Sequence, residues 1–396
     1  MLRGARLGWS LVIGTALVLA GCSPTSTSSG ASPTSTGAAA TRSPAPTGSA
    51  AAGGPIKIGV INSFTGFAAQ FGQWAMDDIN MALSDLGADV RGRPIQLIPA
   101  DEMCSAEGGV NAANRLIGQV IIVIGPECSA AGLAAEPVLA RAKIPHMVDG
   151  YLCALTQQGD EWVFQTVPND CVQMQVLAQY IKDQGISKVA VANDTTPFGA
   201  GEAQGFLAAW KSLGFQDPLN VTFDPSATDF SGQIQRIKQS DAQAIVVNAF
   251  EGPSALFVKQ ARQLGLTQKI FGGLTFGDDI FSNAAGSAAE GTVFVTNFND
   301  GDPKAKPHAD RFKQLYATDP GTLVGPYLAM AAVLDALKRA GPDATPEQLR
   351  DAIRATDIDT PVGHASWNAK GELTKPEVYV GQYVNGKRAA IKRVTP

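Results

Sequence analysis

From Pro55 onward, short β-branched runs alternate with amphipathic segments, and the alternation runs twice. In the first series IKIGVI reads as a strand and GQWAMDDINMALSDL as a helix. PIQLIPAD is the next strand, GGVNAANRLIGQ a helix, VIIVIG a strand apolar on both faces, and AAGLAAEPVLARA a helix. After IPHMVDG and WVFQTV the pattern restarts. VQMQVLAQYIKDQG is a helix, KVAVAND a strand, and GAGEAQGFLAAWKSLG a helix stopped by Gly214. QIQRIKQS, AIVVNAF, PSALFVKQARQLG and KIFGGL continue the series. Strands separated by helices form crossover units, so the sheets are expected to be parallel and covered by helices on both faces. About 340 residues lie beyond the amino-terminal tail, more than one core usually holds, and two α/β lobes are expected. The closing EVYVGQYVNGKRAAIKRV differs: Asn385-Gly386 between two β runs predicts a hairpin.

Open α/β sheets bind ligands beyond the carboxyl ends of their strands. The loops of interest are therefore Asn62–Gly72, Gly125–Ala130, Val148–Leu155, Asn193–Gly201, Asn248–Pro253 and Gly272–Asp279. In IGPECSAAGLAA a strand ends at Ile124 and a helix starts near Ser129, so free N–H groups and a hydroxyl offer an anion site. Serine there also commonly caps a helix, and both roles are compatible. Phe71, Tyr151, Phe198 and Phe250 fall in these post-strand loops and suggest the walls of a cleft. The glycines Gly199, Gly201 and Gly205 miss the dinucleotide-binding spacing by one residue and read as turn and packing positions. No phosphate-binding loop lysine, H-E-x-x-H or G-x-S-x-G sequence occurs, and His146, His308 and His364 are scattered. No catalytic residue, metal or cofactor is expected.

The first 54 residues carry a different message. Two arginines precede the apolar run Leu7–Ala20, which is too short for a comfortable membrane span and fits a secretory signal. Leu19-Ala20-Gly21-Cys22 resembles the lipobox of bacterial lipoproteins, which implies cleavage before Cys22 and lipidation of its thiol. Residues 23–54 are almost entirely Ser, Thr, Pro, Ala and Gly and cannot order themselves by burial. As a flexible tether they would span roughly 30 Å. The five cysteines leave one over for an exported protein; lipidating Cys22 leaves Cys104, Cys128, Cys153 and Cys171 to pair. Local pairing, Cys104–Cys128 and Cys153–Cys171, is favoured over the two other connectivities. A net charge of −5 without a basic stripe argues against nucleic acid.

IKIGVINSFTGFAAQFGQ, ADEMCSAEGGVNAANRLI, VIIVIGPECSAAGLAAEPVLARAKIP, FQTVPND, DPSATDFSGQIQRIKQSDAQAIVVNAF, VKQARQLGL and DTPVGHASWNAKGEL resemble, in order and spacing, the leucine/isoleucine/valine-binding protein family of ABC importers. The resemblance runs from Ile56 to about Tyr383. It implies a type I periplasmic-binding fold: two Rossmann-like lobes with parallel sheets, joined by a three-strand hinge, with a ligand cleft between them. The expected division is a signal peptide over residues 1–21, a lipidated tether over 22–54, lobe 1 over 55–168 and 297–361, and lobe 2 over 169–296 and 362–396.

The resemblance also assigns residues. Cys104 and Cys128 match the family disulfide, and Ser129 matches its carboxylate-binding serine, with Ala130 beside it. Phe71 matches an aromatic that covers the ligand. Phe198 and Phe250 fall where tyrosines commonly line the second lobe. Gly150, Tyr151 and Leu152 occupy a stretch that adds carboxylate contacts in the family, although VDGYLC departs from its pattern. Leu274 stands where amino-acid binders usually carry an acid for the ligand's ammonium. Asp149, Glu251, Asp278 or Asp279 are the available substitutes, Asp278 and Asp279 reading more readily as helix caps.

The expected function is an extracytoplasmic, lipid-anchored solute receptor, monomeric, delivering a small carboxylate-bearing ligand of the branched-chain amino acid type to permease and ATPase subunits. The alternatives are a receptor for a non-amino-acid carboxylate, aromatic or aliphatic, and a sensory ligand-binding lipoprotein. Membrane contact is expected through the lipid anchor only.

Overall fold

A computed structural model describes residues 53–318 and 320–396. The signal sequence, Cys22 and nearly all of the tether lie outside the described residues.

In chain order the strands are β1 Ile56–Asn62, β2 Asp89–Val90, β3 Arg93–Asp101, β4 Ile122–Ile124, β5 His146–Val148, β6 Val163–Gln165, β7 Val189–Asp194, β8 Leu219–Phe223, β9 Ala244–Asn248, β10 Lys269–Gly272, β11 Val293–Thr296, β12 Ile358–Thr360, β13 Gly363–Ala365, β14 Val378–Val384 and β15 Lys387–Val394. The helices are α1 Ala69–Leu86, α2 Ala106–Leu116, α3 Ser129–Arg141, α4 Asp170–Asp183, α5 Pro197–Ser212, α6 Ser231–Lys238, α7 Glu251–Gln263, α8 Asp279–Ala285, α9 Lys306–Tyr316, α10 Gly325–Ala340 and α11 Pro346–Arg354.

Among the described residues the first sheet orders its strands β2-β3-β1-β4-β5-β6, parallel except at β2, and the second orders them β15-β14-β11-β10-β9-β7-β8. In the second, β7 to β11 run parallel while β14 and β15 are antiparallel to β11 and to each other. Side-chain alternation explains why helices cover both faces. Ala190, Ala192, Ile245 and Val247 pack into one core, and Val189, Val191, Ala244 and Val246 into the core on the other side. The same division in the first sheet sets Ile58, Val60, Ile122 and Ile124 against Ile61 and Val123. This is the expected two-lobed α/β fold.

Two disulfides close as expected, Cys104–Cys128 and Cys153–Cys171. The terminal hairpin also forms. Asn385 and Gly386 take φ of 54° and 72°, and Glu290 accepts both of their N–H groups at 2.9 Å. The sequence reading gave no elements to α9, α10 and α11. Helix α10 is apolar nearly all round and lies buried against α1, so its sequence lacks the polar face that marks an amphipathic helix.

Candidate functional site

Strand order fixes where a ligand can enter. In the first sheet β1 is flanked by β3 on one side and β4 on the other, so the connections leaving β1 and β4 diverge. The second sheet reverses in the same way between β7 and β9. A crevice opens at the carboxyl ends of strands at each such switch point. A cavity of about 660 Å³ lies where the two crevices face each other, within the usual range for small-molecule sites.

Phe71, Ser129 and Ala130 contribute its first-lobe wall, with Phe67 and Cys104. Phe198, Phe250 and Glu251 contribute the second-lobe wall, with Ile280. Phe71 and Phe198 lie in the first turns of α1 and α5 rather than in loops, and Phe250 is the residue preceding α7. Asp194 at the end of β7 holds the second wall in shape. It accepts the N–H and hydroxyl of Thr196 and the N–H of Phe250, while Thr196 caps α5. Phe250 stacks obliquely on Phe198 at 5.1 Å and meets Phe67 of the opposite lobe edge-on at 5.6 Å, so the two walls touch at the rim.

The remaining expected residues lie beneath this wall. Tyr151 is buried and donates its hydroxyl to Asn297 Oδ1 at 3.3 Å and to the Thr322 carbonyl at 3.1 Å. Gly150 sits tight against the Glu127 carbonyl, Leu152 packs with Val148 and Leu155, and Leu274 packs in the core that also holds Phe198 and Tyr151.

Ser129 is 3% exposed and is the first residue of α3, not its cap. Its hydroxyl has no protein partner. The first intrahelical bond of α3 runs from Gly132 N–H to the Cys128 carbonyl, so the amides of Ser129 to Ala131 precede the hydrogen-bonded helix. The loop that delivers Ser129 turns at Gly125, with φ of 88°; a Cβ there would lie 2.0 Å from the Ile61 carbonyl oxygen. Hydroxyl, free amides and helix dipole together suit an anionic group.

Acidic side chains surround the same place. Burial raises the carboxyls of Glu102 and Glu251 to about 8 and that of Asp149 to about 7. Glu127, half-buried two residues before Ser129, is pushed well above the carboxylate range, by burial first and then by Asp149, Glu251, Glu102 and Asp278. Glu102 has a partner, the Ser63 hydroxyl at 2.8 Å. Asp278 caps α8 through Ile280 N–H and feels the Arg388 guanidinium. Asp279 begins α8 and faces Arg388 at 3.4 Å. The position of Leu274 gave no hint of this convergence, because the acids come from five separate connections.

Two sheets whose carboxyl-terminal connections face one cavity form a cleft suited to a small ligand. The chain belongs to the periplasmic binding protein family, whose profile matches residues 55–388. It is 26% identical over 325 residues to a leucine-, isoleucine-, valine-, threonine- and alanine-binding protein of Pseudomonas aeruginosa, spanning 80% of this chain and 87% of that one. It is also 26% identical over 328 residues to the Leu/Ile/Val-binding protein of Escherichia coli, spanning 80% and 88%. A leucine-binding protein from Thermotoga maritima superposes with a TM-score of 0.80 at 27% identity, covering 86% of this chain and 99% of that one. A Rhodopseudomonas palustris solute-binding protein solved with benzoate has the same fold, with a TM-score of 0.79 at 18% identity over 87% and 97% of the two chains. These relatives and neighbours carry the names of binding proteins.

Proposed function

We propose that the protein is an extracytoplasmic lipoprotein, anchored through Cys22, that captures a small carboxylate-bearing solute and presents it to the permease and ATPase subunits of an ABC importer. The ligand class is that of the branched-chain amino acids. Residues 55–168 and 297–361 form one lobe in this reading, and 169–296 with 362–396 the other. The tether of residues 22–54 links a monomeric receptor to the cell membrane. No helix among the described residues is long and apolar enough to cross a membrane.

The observation that carries the reading is the partnerless Ser129 hydroxyl, at the start of α3, in a cavity walled by Phe71, Phe198 and Phe250. A carboxylate accepts from Ser129 and the free amides while its apolar body covers the aromatic rings. Thermal-shift screening against amino acids and small carboxylic acids tests this, since a ligand that binds only the folded state raises the melting temperature. A hit whose binding is unaffected by Ser129→Ala would overturn the assignment. For the anchor, a fatty-acid probe should label the wild-type protein and not Cys22→Ala; unlabelled wild-type protein released from cells would refute it.

A second reading, a receptor for a non-amino-acid carboxylate, is favoured by Leu274. A leucine there cannot pair with an ammonium, and proteins of this fold have been solved with benzoate and 3,4-dihydroxybenzoic acid.

A further inference from the structure

The disulfide Cys153–Cys171 bridges the parts of the chain that build the two sheets. Cys153 opens a short 3-10 turn, Cys153–Thr156, between β5 and β6 of the first sheet. Cys171 lies in the first turn of α4, which leads to β7 of the second. Both cysteines are half-buried, and both line a surface pocket of about 210 Å³ with Gln157, Asn169, Glu372 and Leu373. A thiol can therefore reach this bond from outside, whereas in the other disulfide Cys128 is buried. Beside the bond stands Asp170, which is fully buried. Its N–H donates to the Tyr151 carbonyl at 2.7 Å, and its Oδ1 accepts from Cys153 N–H at 2.8 Å, while its Oδ2 has no protein partner. A carboxylate oxygen of Asp170 and the two Sγ atoms all lie within 4.8 Å of one another. Burial raises this carboxyl to about 7, so it carries a proton over part of the neutral range. Its titratable neighbours are Glu202 on α5, itself buried and pushed well above the carboxylate range, and Glu372 on the pocket. The same loop touches the cavity wall. Leu152 and Asp170 both lie against α5 at Gly201, where a Cβ would stand 2.0 Å from Leu152 Cδ1 and 3.2 Å from Asp170 Oδ2. About one turn earlier α5 carries Phe198 of the cavity.

We propose that Cys153–Cys171 is a thiol–disulfide exchange site for a dithiol, with Asp170 as its proton donor, and that its reduction frees residues 151–156 from α4 and loosens the Phe198 wall of the cavity. A thiolate of the dithiol attacks one Sγ from the pocket, and the Cys153–Cys171 bond breaks as a mixed disulfide forms. The electron pair leaves on the other Sγ, which takes the proton of Asp170 and departs as a thiol. The second thiol of the dithiol, deprotonated by the Asp170 carboxylate, then attacks the mixed disulfide. Its attack releases the remaining cysteine, which is protonated from water. The dithiol becomes a disulfide, and the two cysteines gain two electrons and two protons. With the bond gone, what joins the loop to α4 is the pair of hydrogen bonds through Asp170, and the packing of Leu152 against Gly201 loses its covalent support. The geometry thus couples the redox state of a surface bond to one wall of the cavity through three residues in contact.

Dithiothreitol tests this on the full, host-processed protein, in the presence of a chelator, with each thiol counted by alkylation and peptide mass spectrometry. Cys153–Cys171 should be reduced at least tenfold faster than Cys104–Cys128; equal rates, or the reverse order, overturn the exchange site. Oxidised glutathione in the same solution serves as a reference, so that the changing thiolate fraction of dithiothreitol cancels. Relative to it, the rate at Cys153–Cys171 should fall at least threefold from pH 6 to pH 9, as Asp170 loses its proton. Asp170→Asn, which keeps an acceptor for Cys153 N–H, should flatten that profile. A flat profile in the wild-type protein overturns the role of Asp170, and this arm needs no variant to fold. Hydrogen exchange reads the switch. Residues 150–156 and the first turns of α5 should exchange at least tenfold faster in the reduced, alkylated protein, and the double variant Cys153→Ser/Cys171→Ser should show the same pattern. Unchanged exchange in both forms would overturn the coupling to the cavity. None of these readouts depends on the identity of the solute, so their failure leaves the receptor reading untouched.

Discussion

Ser129 shows how one residue's role depends on a single bond it does not make. Serine at a helix start ordinarily accepts an N–H from its own first turn, yet here Cys128 holds the cap position and the Ser129 hydroxyl stays free in the cavity. Ser129→Ala should therefore leave the melting temperature of the unliganded protein within error. It should weaken an anionic ligand by about 1.5–3 kcal/mol, the worth of a hydrogen bond to a charged group, or roughly tenfold or more by calorimetry. A serine that mattered only to α3 would show the reverse. The aromatic residues were legible as cleft residues from their places after strands. That Tyr151 turns inward to Asn297 and Thr322 instead was not, because the partners lie in connections far along the chain.

Elements were readable wherever local chemistry settles conformation. Asn385-Gly386 carries a hairpin because both residues tolerate positive φ, and Glu290 fixes the turn by accepting from both amides. Gly386→Val should cost about 1–2 kcal/mol through left-handed strain and lower the melting temperature, with the loss confined to the β14–β15 ribbon in hydrogen exchange. Asp278 behaves similarly, capping α8 as its position before a helix suggests. Helix α10 was missed for the opposite reason. Buried on almost every side, it presents no periodic polar face, and only its packing against α1 identifies it.

Across the whole molecule the buried acids set the response to pH. Glu102 and Glu251 are raised to about 8, Glu136 to about 9, and Asp149 and Asp170 to about 7, in each case by burial. Between their ordinary values near 4 and these raised ones, the folded state holds protons that the unfolded chain releases. Stability therefore falls as pH rises through that window, because deprotonating these groups is easier in the unfolded chain than in the folded one. The unliganded protein should melt at a higher temperature at pH 5 than at pH 9. A melting temperature that climbed with pH over this range would contradict the burial of these carboxyls.

The sequence by itself determined the kind of architecture, two helix-covered parallel sheets and a closing hairpin. Side-chain periods of two and 3.6 residues are local, and so are the conformational limits of Asn-Gly. It also marked Ser129, Phe71, Phe198 and Phe250, since residues that follow strands gather at one edge of a parallel sheet. Only the tertiary structure decided which of those edges meet. The reversals at β1 and at β7 bring two crevices face to face, and with them Glu127, Asp149, Glu251 and Asp278. No local pattern records that convergence, because it follows from strand order and lobe packing, and electrostatic energy depends on distance in space, not along the chain.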